Sequence, residues 1–543
     1  MIIEVDGDWS VSGATLAKGC AFVHERFLRS ADIAAVIESC ETEESWLATI
    51  SSLNGSFAVV TGHTNEVWAA VDRVRSIPLF YGLHQGSLVL SDRAERVRAC
   101  VGDDSQSPET SLEFLLTGYV TGSETLFPNV KQIQAGEALS FVTKPKPKLD
   151  RRRYFEWRHR DPWPADNNAL IERLHAVHRH VARRLVASLE GRQAVVPLSG
   201  GYDSRLIAVM LKEEGYDNVL CYTYGLPDNW EARISKEVAR YLGFRWKFVP
   251  YSGAKWREWG ATATFKRYCA TAGNLTAVPH VQDWPALFAL QQQRAVAVDG
   301  VLVPGHSGDF VAGSHIPYWF AQRASITRNQ LLRTILDSHY SLWDWPPAEL
   351  RLTEELTRRI DAIGGPLRDG SPAEAADQLE FWDMNERQAK FICNSVRVYD
   401  FFDHDWRLPL FDLELLDFWS HVPVEMRVRR SLYIEYVGRY QNLPVPTPNR
   451  DRGKLAGALI HLVNNFGLHR LAKSVQYRLR RAQWKSVYES CTDPPLAWFT
   501  LIDRELFRRT YTGKQTLHAY LARSGAQGLL RQVTDADSPV NFS

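Results

Sequence analysis

The chain has 543 residues, 45% of them hydrophobic and 23% charged, with a formal net charge of +1. This length predicts about two to three domains, and the near-neutral balance excludes a global field that would recruit nucleic acid or an acidic membrane. Seven scattered cysteines without a CxxC pair argue against a disulfide framework or zinc site. The N-terminus lacks a signal-like pattern and no apolar run approaches about 18 residues, so a cytoplasmic protein with no transmembrane segment is expected.

Residues 1–142 read as short alternating strands, with Ser56–Val60, Val67–Val71 and Ser87–Leu90 separated by Gly, Asn and His turns. Between 143 and 165 the composition changes. Lys144-Pro145-Lys146-Pro147-Lys148, Arg151-Arg152-Arg153 and Asp161-Pro162-Trp163-Pro164 read as a connector. From residue 167 helices alternate with apolar strands. The pattern predicts a helix over 168–189, a strand at Val195, a helix after Gly201, the strand Val219–Tyr224, a helix over Glu231–Leu242 and the strand Trp246–Val249. That alternation argues βαβ units and a parallel sheet. Beyond residue 320 the chain reads as mostly helical. The basic segment His469–Lys485, with Arg478, Arg480 and Arg481, reads as a solvated amphipathic helix, with a partner or membrane-surface contact as the alternative.

The stretch Val195-Val196-Pro197-Leu198-Ser199-Gly200-Gly201-Tyr202-Asp203-Ser204-Arg205 is the most informative. It reads as strand, Gly turn, helix, a junction that points backbone N–H groups and a helix dipole at an anion. Two glycines let a phosphate approach the backbone. No Gly-Lys-Ser/Thr follows, so this is no Walker A loop. Asp203 suits magnesium, which prefers carboxylate oxygen. The bland alternative is an ordinary small-residue turn.

Ser199-Gly200-Gly201-x-Asp203-Ser204 resembles the PP-loop of ATP pyrophosphatases, and other segments resemble the asparagine synthetase superfamily in the same order. Leu53-Asn54-Gly55-Ser56-Phe57-Ala58, Asp72-Arg73, Ile77-Pro78-Leu79-Phe80-Tyr81, Ser91-Asp92 and Thr125-Leu126-Phe127 through Gly136 are similar to its class II amidotransferase-like part. Pro304-Gly305-His306-Ser307-Gly308-Asp309 through Gly313 resembles its second ATP signature. Asp405-Trp406-Arg407-Leu408-Pro409-Leu410-Phe411-Asp412 and Leu443-Pro444 with Arg452 and Lys454 resemble its later motifs. The resemblance implies an α+β N-terminal Ntn-hydrolase-like antiparallel sandwich over 1–142, degenerate as an amidotransferase. After the connector 143–165 it implies an asparagine synthetase-type α/β PP-loop ATP pyrophosphatase domain over 166–465, then a largely helical C-terminal extension over 466–543.

It also implies roles. Ser199, Gly200, Gly201 and Ser204 would cradle pyrophosphate. Leu198, Tyr224, Pro304 and Gly305 would contact the nucleoside of ATP, with strand-end packing as the alternative. Asp203 and Asp309 would hold Mg2+, although Asp309 alone could be a helix cap. Lys454 would supply transition-state charge, or be a solvated lysine. Glu231 would be a catalytic acid residue or a first-turn complement to the helix dipole. His306 stands where the family carries a glutamate that handles the amine. Arg407 and Asp412 fit ion pairs that fix the helical region.

The departures shape the functional expectation. Glutamine-using members carry a cysteine after the initiator methionine, whereas position 2 is Ile2 and the first cysteine is Cys20. Glutaminase activity is therefore expected to be absent. The resemblance implies an AMP-forming carbon–nitrogen ligase acting on a small-molecule or peptide carboxylate and an amine donor, without nucleic acid. Its quaternary expectation is a homodimer or a complex with a partner enzyme. An intramolecular lactam-forming cyclase, of the β-lactam synthetase or lasso-peptide type, is a second reading. A non-catalytic nucleotide-binding scaffold is a third.

Overall fold

The computed structural model describes residues 1–164, 166–345, 349–441, 443, 469–492 and 494–526. Period-two patterning in the N-terminal region becomes two sheets. The larger has the order Lys148–Arg153, Glu137–Val142, Glu66–Val71, Asn54–Gly62, Thr15–Val23, Ser10–Ser12, with Arg26–Arg29 also paired to Thr15–Val23. The smaller has the order Ile2–Glu4, Ser87–Ser91, Phe80–His84, Lys131–Gln132. Successive residues on a strand face opposite sides, and the central strand uses both. Phe57 and Val59 pack with Ile33, Ile37, Trp46 and Ile50 of helices Ser30–Glu38 and Glu43–Ser52. Ala58 and Val60 join the core shared with Leu79, Phe80, Leu88 and Leu90 of the smaller sheet.

One expectation needs correction. The stretch 143–165, read as a connector, contributes the edge strand Lys148–Arg153, antiparallel to Glu137–Val142. Its lysine and arginines match a sheet edge, where charge blunts further pairing. The chain then crosses to the second half, where the Trp157 indole donates to the Leu416 carbonyl at 2.9 Å.

The second half is built on a five-stranded parallel sheet. Its order is Arg245–Pro250, Val219–Gly225, Ala194–Pro197, Val301–Leu302, Asp405–Trp406. Ala194, Val195 and Val196 are all buried, the continuous apolar run expected of a strand covered on both faces. Helices Asn167–Leu189, Tyr202–Glu213 and Trp230–Leu242 follow the predicted pattern within a few residues. Strand order reverses on either side of Ala194–Pro197, so a crevice opens at its carboxyl end, where open α/β sheets bind ligands. The later region is helical, as expected, including His469–Ala482. Helix Pro372–Asp383 runs on without a break into a π-helix, Met384–Ile392. No helix among the described residues is long and apolar enough to cross a membrane.

Candidate nucleotide and acyl-transfer site

The loop after Ala194–Pro197 is held by its own small side chains. The Ser199 amide donates to Ser204 Oγ at 3.0 Å, and the Gly201 amide donates to Ser199 Oγ at 3.1 Å. Gly201 caps helix Tyr202–Glu213 with no side chain of its own in the way. Leu198 anchors the turn to the neighbouring strand. Its amide donates to the Tyr222 carbonyl at 2.8 Å, and its carbonyl accepts from Thr223 Oγ1 at 2.6 Å. A Cβ on Gly200 would stand 2.5 Å from the Trp230 ring, so the first glycine is required by packing as well as by any ligand.

The second loop follows Val301–Leu302, the next strand. Pro304 is buried and Gly305 lies directly on the first loop, where a Cβ would meet the Ser204 nitrogen at 2.5 Å and the Asp203 carbonyl carbon at 2.7 Å. A Cβ on Gly308 would lie 3.0 Å from Asp203 Oδ1. The two signatures, about a hundred residues apart in sequence, therefore meet backbone to backbone at the crevice. Asp309 sits in the first turn of the short helix Gly308–Val311, whose cap position is taken by Ser307 in a left-handed conformation. The capping alternative for Asp309 is thus replaced by proximity to Asp203.

Burial, with the Asp309 charge second, pushes Asp203 up to about 7. The Tyr433 hydroxyl, the Arg430 charge and the Asp309 amide oppose that shift. Two half-buried carboxylates brought this close, with the Asp309 charge disfavouring ionisation of Asp203, fit a divalent cation. No group of three or more His, Cys, Asp or Glu among the described residues could hold a metal unaided. A magnesium ion here would take its remaining oxygens from phosphate and water, as that ion commonly does.

Other expected residues fall around this centre with mixed outcomes. Glu231 lies in the first turn of helix Trp230–Leu242, whose cap is Asn229, and its Cα would be 3.3 Å from a Cβ on Gly200. The dipole role and a place beside the first loop coexist in it. Tyr224 ends its strand with its ring stacked on Tyr251 at 5.1 Å, and its hydroxyl accepts from Gln282 at 2.9 Å. Its packing alternative is visible. His306 is pushed down to about 3 by burial, with His280 adding to the effect. Ser395 Oγ lies 3.3 and 3.4 Å from the two ring nitrogens of His306. Lys454, with Pro444 and Arg452, lies outside the described residues.

Several neighbours were not singled out from the sequence. Tyr433 donates to Asp203 Oδ1 at 2.7 Å from helix Ser431–Tyr440, just after Arg429 and Arg430 in left-handed conformations. Arg427 is fully buried. It donates to Glu380 Oε1 at 2.9 Å and to the Val311 carbonyl at 2.8 Å, clamping the tail of the second loop. Gly313, at φ +95°, lies where a Cβ would be 2.6 Å from the Arg427 carbonyl oxygen. The only signal for Arg427 was a cation in an apolar helical region, which periodicity does not pair with anything.

Arg184 binds Asp412 through two hydrogen bonds of 2.9 Å, and Asn54 Nδ2 donates to the same carboxylate at 3.0 Å. Asp412 therefore fixes the helical region as expected, and also joins it to the N-terminal sheets. Arg407 donates to Ser188 Oγ and to the Ser188 carbonyl, both at 3.1 Å, with Asp405 more distant at 3.8 Å. Cys20 lies mid-strand, paired with Arg29 on one side and Ser56 on the other, and burial raises its thiol.

Comparison with known proteins places this geometry in context. A family model described as asparagine synthase matches residues 174–531, well over half of the chain. No curated protein sequence matches it. Among solved structures, an allosteric regulatory enzyme of purine biosynthesis is similar at 12% identity and a TM-score of 0.19, covering 44% of this chain and 62% of that one. Glutamine phosphoribosylpyrophosphate amidotransferase from B. subtilis, complexed with ADP and GMP, is similar at 12% identity and a TM-score of 0.20, covering 54% and 61%. The chain thus spans about three fifths of each of these structures.

Proposed function

Because the chain belongs to the asparagine synthase family, we propose that it is an ATP-dependent, AMP-forming carbon–nitrogen ligase that adenylates a carboxylate and passes the acyl group to an amine. The observation that carries this reading is the contact of the two loops, which sets Asp203 beside Asp309 above the carboxyl ends of adjacent parallel strands. Amides of Ser199, Gly200 and Gly201, with Ser204, form the cradle for the departing pyrophosphate. Leu198, Pro304, Gly305 and Tyr224 would line the nucleoside side. Asp203 and Asp309 would hold Mg2+, whose bound charge offsets that of the phosphate oxygens.

The work of the chain is positioning. Carboxylate oxygen attacks the α-phosphorus, the bond to pyrophosphate breaks, and the acyl-adenylate then loses AMP to an amine. Lys454 is the assigned cation for charge developing in either step. The N-terminal sandwich acts as an Ntn-like structural partner without glutaminase chemistry. Cys20, half-buried in mid-strand with its thiol pushed up by desolvation, is poorly suited to a nucleophile's role. The amine is therefore free in solution or carried by the substrate, and the latter would close a lactam.

Carboxylate-dependent exchange of labelled pyrophosphate into ATP, screened over amino-dicarboxylates and linear peptides, tests the ligase reading. Exchange with at least one acid supports it. Its absence with every acid overturns it in favour of a nucleotide-binding scaffold. Product mass then separates the two amide-forming variants, since lactam closure lowers substrate mass by one water with no amine added.

A further inference from the structure

The second loop carries two histidines whose surroundings differ. His306 is held neutral by burial and has only Ser395 within hydrogen-bonding range of its ring among the described residues. His315, six residues past Asp309, donates through Nδ1 to Asp383 Oδ2 at 2.6 Å, a carboxylate held well below its ordinary range. Asp383 is completely buried at the end of helix Pro372–Asp383, while 27% of the His315 side chain stays exposed. Asp383 Oδ1 accepts from Gln388 Nε2 at 3.0 Å, and Gln388 Oε1 accepts from Ser307 Oγ at 2.6 Å. One continuous chain, Ser307–Gln388–Asp383–His315, thus begins and ends on the loop that carries Asp309. The Ser314 amide donates to the Asp309 carbonyl at 3.0 Å, and His315 lies edge-on to Phe310 with ring centroids 5.4 Å apart.

We propose that His315 is a catalytic base for the amine half of the reaction, with Asp383 as its positioning residue. This rests on the ligase reading above. With Nδ1 committed to Asp383, the tautomer is set and Nε2 presents a lone pair. An incoming R–NH3+ gives one proton to Nε2, and the freed nitrogen lone pair attacks the acyl-adenylate carbonyl. The C–N bond forms, the C–O bond to AMP breaks with its electron pair leaving on phosphate, the nitrogen gives its second proton to that departing phosphate, and His315 is left as imidazolium to release the first proton to water.

The titratable and charged groups around His315 are Asp383, His339, Arg387 and Asp309. Burial lowers its basicity, but Asp383 outweighs that effect and Asp309 adds to it, while Arg387 opposes, so the imidazole ends above its ordinary value. The same burial without a carboxylate leaves His306 at about 3, too weak to take a proton from an ammonium near neutral pH. His339, 3.5 Å from the same Asp383 oxygen, stays at about 4.

The test compares two nucleophiles with whichever carboxylate supports exchange. Methylamine is protonated at neutral pH and needs a base, whereas hydroxylamine is largely neutral. His315→Gln is expected to cut methylamide formation, relative to pyrophosphate exchange, by about 100-fold, with hydroxamate formation reduced far less. In wild type, methylamide formation rises with pH through an inflection above the ordinary histidine value. Asp383→Asn moves that inflection down. Equal loss with both nucleophiles, or no change in the ratio, overturns the base role while leaving the ligase reading standing. No exchange in wild type overturns both. If His315→Gln fails to fold, the wild-type pH profiles decide alone: identical profiles for the two nucleophiles overturn the proposal.

Discussion

Asp203 is the residue on which the proposed chemistry turns, and its protonation leaves a mark on stability. A carboxyl raised to about 7 in the fold, from an ordinary value near 4, binds a proton that the unfolded chain releases. Its contribution to stability is full at pH values below about 4 and is lost as pH rises through about 7. Thermal melts of the nucleotide-free protein between pH 5 and 8 should show this decline, which Asp203→Asn removes. The same variant should reduce exchange by at least about 100-fold, because a neutral amide no longer holds the cation whose charge offsets that of the phosphates. Gly305 gives a second expectation at this scale. Alanine there puts a methyl group against backbone atoms of Ser204 and Asp203, which cannot rotate aside. A cost of about 1–3 kcal/mol, read from urea midpoints, is expected together with loss of exchange.

Among the elements, the most consequential is the helix running from Pro372 through the π-helical turns to Ile392. The wider turns carry Gln388 to the second loop, with Asp383 just before them and Ser395 just after also reaching it, while Glu386 and Lys390 face the N-terminal half. Such widened turns recur at functional sites. Apolar periodicity did not reveal them, since one extra residue per turn over nine positions leaves the pattern broadly helical. The strand Lys148–Arg153 was missed for another reason, because Lys, Pro and Arg favour connectors and sheet edges alike. By contrast, the Ser-Gly-Gly-x-Asp-Ser junction and its flanking strand and helix were readable because every constraint lies within about a dozen residues. Tyr433 was not, since its partner lies 230 positions away. The buried Arg427–Glu380 pair belongs with it. Arg427→Leu leaves Glu380 charged, buried and short of a partner, with a destabilisation of about 3–5 kcal/mol by denaturant titration. Changing Glu380 to Gln in the same chain should recover part of that loss.

At the scale of the whole molecule, the two halves are interlocked by polar contacts that the sequence presented as unrelated motifs. Asn54 accepts from the Leu413 amide at 2.9 Å while donating to Asp412, which Arg184 grips from the other side. Asn54→Asp would face one carboxylate with another. It should separate one cooperative melt into two, or lower the single transition by several degrees, as calorimetry would record. The resemblance to the asparagine synthetase superfamily rested on motifs in both halves and did not reveal this joint, because a resemblance of motifs carries no information on which side chains meet across them.

The Gly122 amide donates to Glu386 Oε2 at 3.1 Å, and the Gly122 carbonyl accepts from Lys390 Nζ at 2.6 Å. A turn of the sandwich thereby completes the solvation of an ion pair whose two side chains have no exposure to water. Cutting the synthetase half free at residue 166 would strip that lining and flood the pair that braces the wide-turned helix. Anyone wishing to transplant the ligase into a shorter scaffold would have to carry the N-terminal sheets along, or rebuild Glu386 and Lys390 as hydrocarbon.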